Sequence, residues 1–308
     1  MSKKTISIII PFFNEISSLG DTVNRLNNVI KNLDTYFFEV LLIDNNSNDG
    51  SSLIAKKLSQ NNSVYKYFKQ SRNFGYQSSI RAGYDLCSGD AAVQIDADGQ
   101  DDPDLIIKFL KKWEEGYDVV FGIRKNRKEF LLINFIRKIF YRIINKISYI
   151  NIPLDAGEFR LVDRKVINCL KKFNENNFYL RGLIAFIGFK QIGIEYSRNI
   201  RIAGKSKISV IDYFDIAFSA VTSFSKAPLI LIFLIGLFIF IISCSLMLFY
   251  IIMFLLGKIS SPGFTTIVVI QLVFFGFLTM LIGFLSLYIS HILEEVKKRP
   301  KYIIEDKE

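Results

Sequence analysis

Short apolar runs alternate with segments of helical periodicity over the first 122 residues. Apolar runs bounded by turn residues predict buried strands, and apolar positions three or four apart predict amphipathic helices. The predicted strands cover residues 6–11, 38–43, 64–68, 91–95 and 118–122, and the predicted helices cover residues 19–33, 51–58, 77–86 and 103–115. Strands and helices that alternate at this spacing form parallel βαβ units. The expected fold class is therefore α/β, a Rossmann-like domain with a mainly parallel sheet, in which Pro11 ends the first strand.

The last quarter of the chain has a different pattern. Residues 229–257 contain no charged side chain, and residues 259–290 contain none either. Each run exceeds the roughly 20 residues that a helix needs to cross a bilayer. Soluble cores rarely use two such runs in succession, so the pattern predicts two transmembrane helices within residues 228–290.

Basic residues flank these predicted spans and are sparse between them. Lys226 precedes the first span, and Lys297, Lys298 and Arg299 follow the second, whereas the loop between the spans carries only Lys258. By the positive-inside rule, both termini lie in the cytoplasm, and the protein is expected in the cytoplasmic (inner) membrane. The expected layout is a cytoplasmic α/β domain at residues 1–207, a juxtamembrane connector helix at 208–227, the two spans, and a cytoplasmic basic tail at 291–308.

The formal net charge of +10 is concentrated in three places, at residues 124–146, 198–207 and 297–301. These segments lie beside apolar stretches, which favours anionic lipid or phosphorylated ligands over nucleic acid. Residues 130–150 combine apolar and basic positions at helical spacing. They predict either an amphipathic helix in the membrane interface or a core helix of the sheet, since periodicity alone does not separate the two.

Candidate chemistry begins at the end of the fourth predicted strand, where Asp96 and Asp98 are followed by Gly99 and Gln100. Such an oxygen-rich turn holds Mg2+ or Mn2+ against a diphosphate in some proteins and is a solvated acidic turn in others. Asp44 and Arg72 follow two other predicted strands. Ligands of parallel sheets bind beyond the carboxyl ends of the strands, so these side chains are expected to converge on one crevice.

The order of several short motifs resembles a known enzyme family. The motifs are residues 8–15, the loop at Asp44, residues 72–75, residues 95–101, residues 157–164 and residues 201–207, followed by the two apolar runs. Together they resemble the inverting family 2 glycosyltransferases with the glycosyltransferase A fold. The later motifs are similar to the polyprenyl-phosphate branch, which includes dolichyl-phosphate mannose synthase and GtrB-like undecaprenyl-phosphate glucosyltransferases.

The resemblance implies a nucleotide-sugar donor, a polyprenyl phosphate acceptor, contact with membrane lipid and a homo-oligomer such as a tetramer. Transfer of one hexose is expected, with glucose from a UDP-sugar favoured. Two positions depart from the family pattern. Asn45 stands where the family often has a second aspartate, and Glu158 stands where it has aspartate.

The site residues fall into four expected roles. The catalytic candidates are Asp96, Asp98, Asp155 and Glu158; the donor-binding candidates are Pro11, Asn14, Glu15, Asp44, Arg72 and Gln100; the phosphate-binding candidates for the acceptor are Arg124, Arg137, Arg160, Arg201, Lys205 and Lys207; and the metal candidates are Asp98, Asp96 and Gln100. A lipid monophosphate is largely dianionic at neutral pH, so it needs cations to position it and no strong general base.

Two other functions remain open at this point. A processive polysaccharide synthase is expected to have more spans and a Gln-x-x-Arg-Trp motif, whereas the single tryptophan, Trp113, lies in another context. A lipid-binding accessory protein with a degenerate transferase domain would tolerate loss of the acidic pair, and both aspartates are present.

Overall fold

The structure is a computed structural model that describes residues 3–125, 156–175, 179–198 and 263–308, together with individual helical positions between 232 and 257. The strands are β1 Lys4–Phe12, β2 Tyr36–Asp44, β3 Tyr65–Gln70, β4 Ala91–Gln94, β5 Val119–Lys125, β6 Ala156–Asp163, β7 Gln191–Ser197 and β8 Ile304–Lys307. The helices are α1 Leu19–Lys31, α2 Ser51–Asn61, α3 Tyr76–Leu86, α4 Leu105–Glu114, α5 Arg164–Leu170, α6 Leu180–Ile187 and α7 Phe264–Lys297. The nine elements predicted up to residue 122 are thus confirmed within a few residues at each end.

The strands form one sheet in the order β7-β5-β6-β4-β1-β2-β3-β8. The pairs β1–β2, β1–β4, β2–β3 and β5–β7 are parallel. The pairs that involve β6 or β8 are antiparallel. The expectation of an α/β domain with a mainly parallel sheet is confirmed, and the carboxyl ends of β1, β2, β3 and β4 lie at one edge.

The expectation that Pro11 ends the first strand is wrong, because β1 continues to Phe12. The bond from the amide of Ile95 to the carbonyl of Ile9 is the last one on the β4 side. Successive residues of a strand face alternate neighbours, so the nitrogen of Pro11 faces β4 beyond the end of that ladder. A proline is tolerated there because no ladder hydrogen bond is lost.

Helices cover both faces of the sheet, and alternate residues of β1 divide between two cores. Ile6, Ile8 and Ile10 face one core, to which α1, α2 and α4 contribute, whereas Ile9 faces the core beneath α3, α5 and α6. Helix α3 packs very close to β1. A Cβ at Gly83 would lie 2.2 Å from Cγ2 of Ile9, so glycine is required for this approach.

The C-terminal part contains a long apolar helix that returns to the sheet. Within α7, Phe274–Lys297 has 24 residues with a mean hydropathy of 1.8, and it is the one helix of the described residues with the length and composition to cross a membrane. Most of its described apolar side chains, such as Phe275 and Ile282, are exposed. Strand β8 then pairs with the outer edge of β3, so the end of the expected basic tail is part of the catalytic sheet.

Several sequence expectations lie outside the described residues. They are the helix at 130–150, the connector at 208–227 and most of the first apolar run. The second transmembrane helix therefore remains a prediction that α7 supports, and the first remains a prediction.

A buried carboxylate joins three strands at the amino-terminal side of the sheet. Glu39 of β2 accepts hydrogen bonds from the Ser7 hydroxyl at 2.6 Å, the Lys66 ammonium at 2.6 Å and the Ser88 amide at 2.6 Å. Its side chain is 7% exposed. Burial acts to raise the pKa of Glu39, but the bonds from Lys66, Ser7 and Ser88 outweigh it and lower the pKa to about 2.

We expect Glu39→Gln to lower the free energy of unfolding at pH 7 by about 3 kcal/mol, because the charge-assisted bonds from Lys66 and Ser88 are lost. The folded pKa is depressed, so this stabilisation is present above about pH 4.5 and is lost as the pH falls toward 2. Denaturant unfolding followed by Trp113 fluorescence measures both effects. Glu115→Gln, on an exposed pair with Lys112, is the control and is expected to change stability by less than about 0.5 kcal/mol. Equal effects of the two substitutions would contradict the assigned role of Glu39.

Candidate active site

Asp96 lies just beyond β4 and is held by three side chains. Its Oδ1 accepts hydrogen bonds from the Tyr76 hydroxyl at 2.5 Å and from Nε2 of Gln94 at 2.9 Å. Its Oδ2 accepts one from Nη2 of Arg198 at 3.2 Å. Tyr76 is the first residue of α3, so the carboxylate is fixed between a strand end and a helix start.

Arg198 follows β7 and contacts two further carboxylates. Its Nε donates to Oδ1 of Asp101 at 3.0 Å, and its Nη2 lies 3.7 Å from Oδ2 of Asp98. The Tyr196 hydroxyl also donates to Oδ1 of Asp101 at 2.6 Å. One guanidinium therefore faces three aspartates, a group that we call the aspartate cluster (Asp96, Asp98 and Asp101).

The negative charges of the aspartate cluster affect one another strongly. Burial, followed by the charges of Asp101 and Asp98, raises the pKa of Asp96 to about 6, although Arg198 and Tyr76 act in the opposite direction. Burial acts to lower the pKa of Arg198, but the three aspartates raise it above its ordinary value. The cluster thus requires a cation, and Arg198 supplies one positive charge.

The donor set of this site fits Mg2+ or Mn2+ when a substrate supplies further oxygens. Both ions prefer carboxylate and phosphate oxygens, and Mg2+ commonly takes one or two protein carboxylates together with substrate phosphates. Over the part of the chain that the structure describes, no group of three His, Cys, Asp or Glu side chains is arranged to hold a metal ion. Asp96 and Asp98 therefore suit an ion shared with a diphosphate better than a protein-only cage, and Arg198 already stands between them as a cation.

The loop after β1 is bonded to the loop after β2. The amide of Asn14 donates to the Ser47 hydroxyl at 2.9 Å, and Oδ1 of Asn14 accepts from the amide of Asn48 at 2.8 Å. The amide of Glu15 donates to the Ser51 hydroxyl at 2.9 Å. Asn14 has a φ of 55°, in the left-handed region that asparagine tolerates better than most residues. The expected donor-binding segment Pro11–Glu15 is thus a defined part of the edge.

Asp44, at the end of β2, is fully buried and organises its own loop. Its Oδ1 accepts from the amide of Ser47 at 2.8 Å, and its Oδ2 accepts from the hydroxyls of Ser52 at 2.5 Å and Tyr67 at 3.0 Å. The expected contact with a nucleobase remains a prediction. In this structure the carboxylate shapes the loop that would surround the base.

The loop after β3 joins the same edge through two asparagines. Nδ2 of Asn45 donates to Oδ1 of Asn73 at 2.8 Å, and Oδ1 of Asn45 accepts from the amide of Phe74 at 2.9 Å. Asn45 is the position where the family often has aspartate, and both ends of its amide are used here. Arg72 is exposed, with its guanidinium 4.1 Å from the centre of the Phe74 ring.

Glu158 of β6 forms a second buried ionic cluster. Its Oε1 accepts from Nε of Arg181 at 2.6 Å and from Nε2 of Gln77 at 3.2 Å, and its Oε2 lies 3.3 Å from Nη2 of Arg160. Burial acts to raise the pKa of Glu158, but Arg181 and Arg160 lower it below its ordinary value. Glu158 is therefore an anion that orients two arginines.

Two of the expected phosphate-binding arginines are described. Arg160 is 4% exposed and donates to the carbonyl of Gly157 at 2.8 Å, while its Nε has no hydrogen-bond partner. Arg124 of β5 lies opposite Tyr196 of β7, and its buried Nε also has no partner. Buried donor atoms without a partner on two arginines are consistent with an anionic ligand.

The structure brings most of the predicted site together at one edge of the sheet. Asp44 ends β2, Arg72 follows β3, and Asp96, Asp98 and Gln100 follow β4, so all five lie at the carboxyl ends of the parallel strands on either side of β1, as expected. Gln100 donates its backbone amide to Oδ1 of Asp98 at 3.1 Å. The remaining candidates lie outside the described residues, and their roles stay predictions: Arg137, Asp155, Arg201, Lys205 and Lys207.

Sequence reasoning missed Arg198, Arg181, Tyr76 and Tyr196. Arg198 begins the basic segment 198–207, but a charge cluster does not indicate which cation meets which carboxylate. Arg181 is the one charged residue of the apolar helix α6, and that isolation was an available signal. The two tyrosines follow ordinary apolar patterns and carried no comparable signal.

Comparison of the sequence with known proteins finds similarity to glycosyltransferases. The family model described as Glycosyl transferase family 2 matches residues 7–171. The uncharacterised glycosyltransferase YkcC of Bacillus subtilis (strain 168) is 36% identical over 97% of this chain and 93% of its own length. The SfII prophage-derived bactoprenol glucosyl transferase of Shigella flexneri is 33% identical and covers 97% of each chain. A solved structure, the mannosyl-3-phosphoglycerate synthase from Rubrobacter xylanophilus, is 17% identical, covers 71% of this chain and 72% of its own, and has a TM-score of 0.49.

We expect Glu158→Gln to destabilise the catalytic domain by about 3 kcal/mol or more, because it leaves Arg160 and Arg181 without their buried counter-charge. Denaturant unfolding monitored by Trp113 fluorescence tests this. Glu305→Gln is the matched control, since its pair with Lys69 is partly exposed, and its effect is expected to stay below about 1 kcal/mol. Unchanged stability in Glu158→Gln would show that the two arginines do not depend on this carboxylate.

Proposed function

The chain belongs to glycosyl transferase family 2, and we propose that it transfers a single hexose, glucose, from a UDP-sugar to a polyprenyl phosphate at the membrane surface. The observation that carries this proposal is the largely enclosed aspartate cluster just beyond β4, at the edge of the sheet that also carries the loops expected to bind the donor. Similarity over nearly the full chain to a relative named as a bactoprenol glucosyl transferase supports the sugar and the acceptor class.

The position of the apolar helix supports a lipid acceptor. Six residues, 298–303, connect the end of α7 to the start of β8. A chain of this length spans at most about 25 Å, so the edge of the catalytic sheet lies close to the end of α7. The exposed apolar side chains of α7 are unfavourable in water and are suited to a bilayer. A polyprenyl phosphate embedded in that bilayer is then near the catalytic domain.

The chain's own residues account for the binding of the donor. Asp96 and Asp98 would hold Mg2+ or Mn2+, which when bound neutralises the leaving diphosphate as a Lewis acid. Tyr76 and Gln94 hold Asp96 in place, and the loop at Asn14 and Asp44 forms the surroundings of the nucleoside. These contacts join side chains and loops of the protein itself, so they fix the orientation of the groups that would meet the donor.

The acceptor requires positioning more than activation. A phosphate monoester is mostly dianionic at pH 7 and is already a nucleophile. Arg124 and Arg160 each have a buried Nε without a partner, and we assign them to the approach of this phosphate. Glu158 stays ionised between Arg160 and Arg181, so it maintains the orientation of these cations and does not act as a proton donor.

We expect the purified full-length protein, with Mg2+ or Mn2+, undecaprenyl phosphate and radiolabelled UDP-glucose, to transfer label into the organic phase. Asp98→Asn removes the charge without changing the shape and is expected to reduce turnover by at least about 100-fold. Asp102→Asn is the matched control, because Asp102 lies in the same acidic loop, is half-exposed and pairs with Arg25 outside the cluster. Full turnover in Asp98→Asn would contradict the metal role, and label transfer from a different nucleotide sugar would correct the donor.

We expect Arg124→Ala to raise the apparent KM for undecaprenyl phosphate by about tenfold, because a charge-assisted contact with the acceptor phosphate is lost. The KM for the nucleotide sugar is expected to change by less than about threefold. Steady-state kinetics with each substrate varied in turn measures both values, and Lys112→Ala on the exposed side of α4 serves as a control. A change confined to the nucleotide sugar would reassign Arg124 to the donor diphosphate.

A further inference from the structure

Arg198 occupies the position that the donor-bound ion would need. Its Nη2 lies 3.2 Å from Oδ2 of Asp96 and 3.7 Å from Oδ2 of Asp98, so one nitrogen faces both of the carboxylates that would hold a divalent ion. The side chains are largely enclosed, with 23% of Arg198, 18% of Asp96 and 13% of Asp98 exposed. A divalent ion and a guanidinium nitrogen repel each other and cannot both occupy this space.

The guanidinium has an anchored side and a side that can be released. Nε of Arg198 lies 3.0 Å from Oδ1 of Asp101, which is 1% exposed and also accepts from the Tyr196 hydroxyl. Asp101 is therefore held away from the ion by its own partners. Release of Nη2 from Asp96 and Asp98 leaves the bond from Nε to Asp101 in place, so Arg198 stays at the site when an ion enters.

The charge balance differs between the empty and the donor-bound site. Without a ligand, a divalent ion that displaces Nη2 from Asp96 and Asp98 lies close to the Arg198 guanidinium. Three positive charges, two from the ion and one from Arg198, then face the three carboxylates. The displaced Nη2 then loses its contacts with Asp96 and Asp98 and keeps only a longer one, 3.4 Å to Oδ2 of Asp101. A donor diphosphate brings at least two further negative charges, which provide oxygens for the ion and an acceptor for the released nitrogen.

We propose that Arg198 is a positioning residue that competes with the divalent ion for Asp96 and Asp98, so that the ion binds firmly only together with the donor diphosphate, to which Arg198 then turns. This inference rests on the proposed function, since it takes a nucleoside diphosphate and a divalent ion as the ligands. It assigns the order of binding to one side chain and distinguishes Arg198 from the arginines that would meet the acceptor.

Mn2+ binding to the full-length protein in detergent, followed by electron paramagnetic resonance, tests the proposal without turnover. For the unaltered protein, saturating UDP is expected to lower the Kd for Mn2+ at least about tenfold. For Arg198→Gln without nucleotide, the Kd is expected to be at least about tenfold lower than for the unaltered protein, because the competing cation is gone. The additional effect of UDP is expected to be smaller in this variant.

Two further variants separate competition from a general effect of charge. Arg198→Lys keeps the positive charge, but an ammonium group cannot bond Asp101 and the Asp96–Asp98 pair from separate nitrogens as a guanidinium does. Its Kd for Mn2+ is therefore expected between those of the unaltered protein and Arg198→Gln. Arg25→Gln removes a cation that contacts Asp102 and the carbonyl of Gly99 in the same loop but does not touch the cluster, and its Kd is expected to match that of the unaltered protein.

Removal of the guanidinium leaves three carboxylates facing one another, so thermal unfolding provides a second measurement. Mn2+ without nucleotide is expected to raise the unfolding midpoint of Arg198→Gln more than that of the unaltered protein. If Arg198→Gln does not fold, Arg198→Lys carries both measurements, with a lower Kd and a larger midpoint shift than the unaltered protein.

Two results would overturn the proposal and are distinguishable. If the unaltered protein binds Mn2+ with UDP, but the Arg198 variants without nucleotide bind it no more tightly than the unaltered protein, the competition is absent while the proposed function stands. If the unaltered protein binds no Mn2+ with either UDP or GDP, the metal part of the proposed function fails and this inference fails with it.

Discussion

Three groups of buried or largely enclosed carboxylates in this sheet each face a positive partner, and this pairing organises the catalytic domain; Asp44, held by an amide and two hydroxyls, is the exception. Glu39 meets Lys66, Glu158 meets Arg160 and Arg181, and the aspartate cluster meets Arg198. An unpaired buried charge would cost several kcal/mol, which is a large fraction of the stability of an ordinary domain. The first cluster lies at the amino-terminal side of the sheet and ties strands together. The other two lie at the carboxyl edge, where the same pairing holds side chains ready for charged ligands.

The apolar interior makes that edge rigid. Strand β1 is covered on both faces, and α3 approaches it closely through Gly83. The polar loops beyond the strands are therefore carried by a fixed base, and they bond to one another through Asn14, Ser47, Asn45 and Asn73. A site on such a base can orient a donor without folding around it, which reduces the entropy lost on binding.

The two ends of the chain meet in the same sheet. Strand β8 adds to the edge of β3, with the Glu308 amide bonded to the Tyr67 carbonyl and Lys56 paired with Asp306 and Glu308. Tyr67 in turn donates to Asp44 in the loop that we propose surrounds the nucleoside. The segment that leaves the apolar helix is thus connected, through one strand, to the loop that carries Asp44. The basic residues after α7 are followed by an acidic strand, and the change in charge matches the lysines on α2 and β3.

The sequence by itself determined the alternation of strands and helices, the parallel sheet, the edge where the aspartates lie and the apolar helix α7. These features follow from local periodicity and from the rule that parallel strands present their carboxyl ends together. It did not determine that β6 inserts antiparallel between β4 and β5, that β8 joins β3, or that Arg198 meets Asp96 at a separation of 102 residues. Only the tertiary structure decided those pairings, because a charged residue or a short apolar run does not indicate which distant residue or strand it will contact. The partner is set by which buried carboxylates and open strand edges the folded chain leaves within reach.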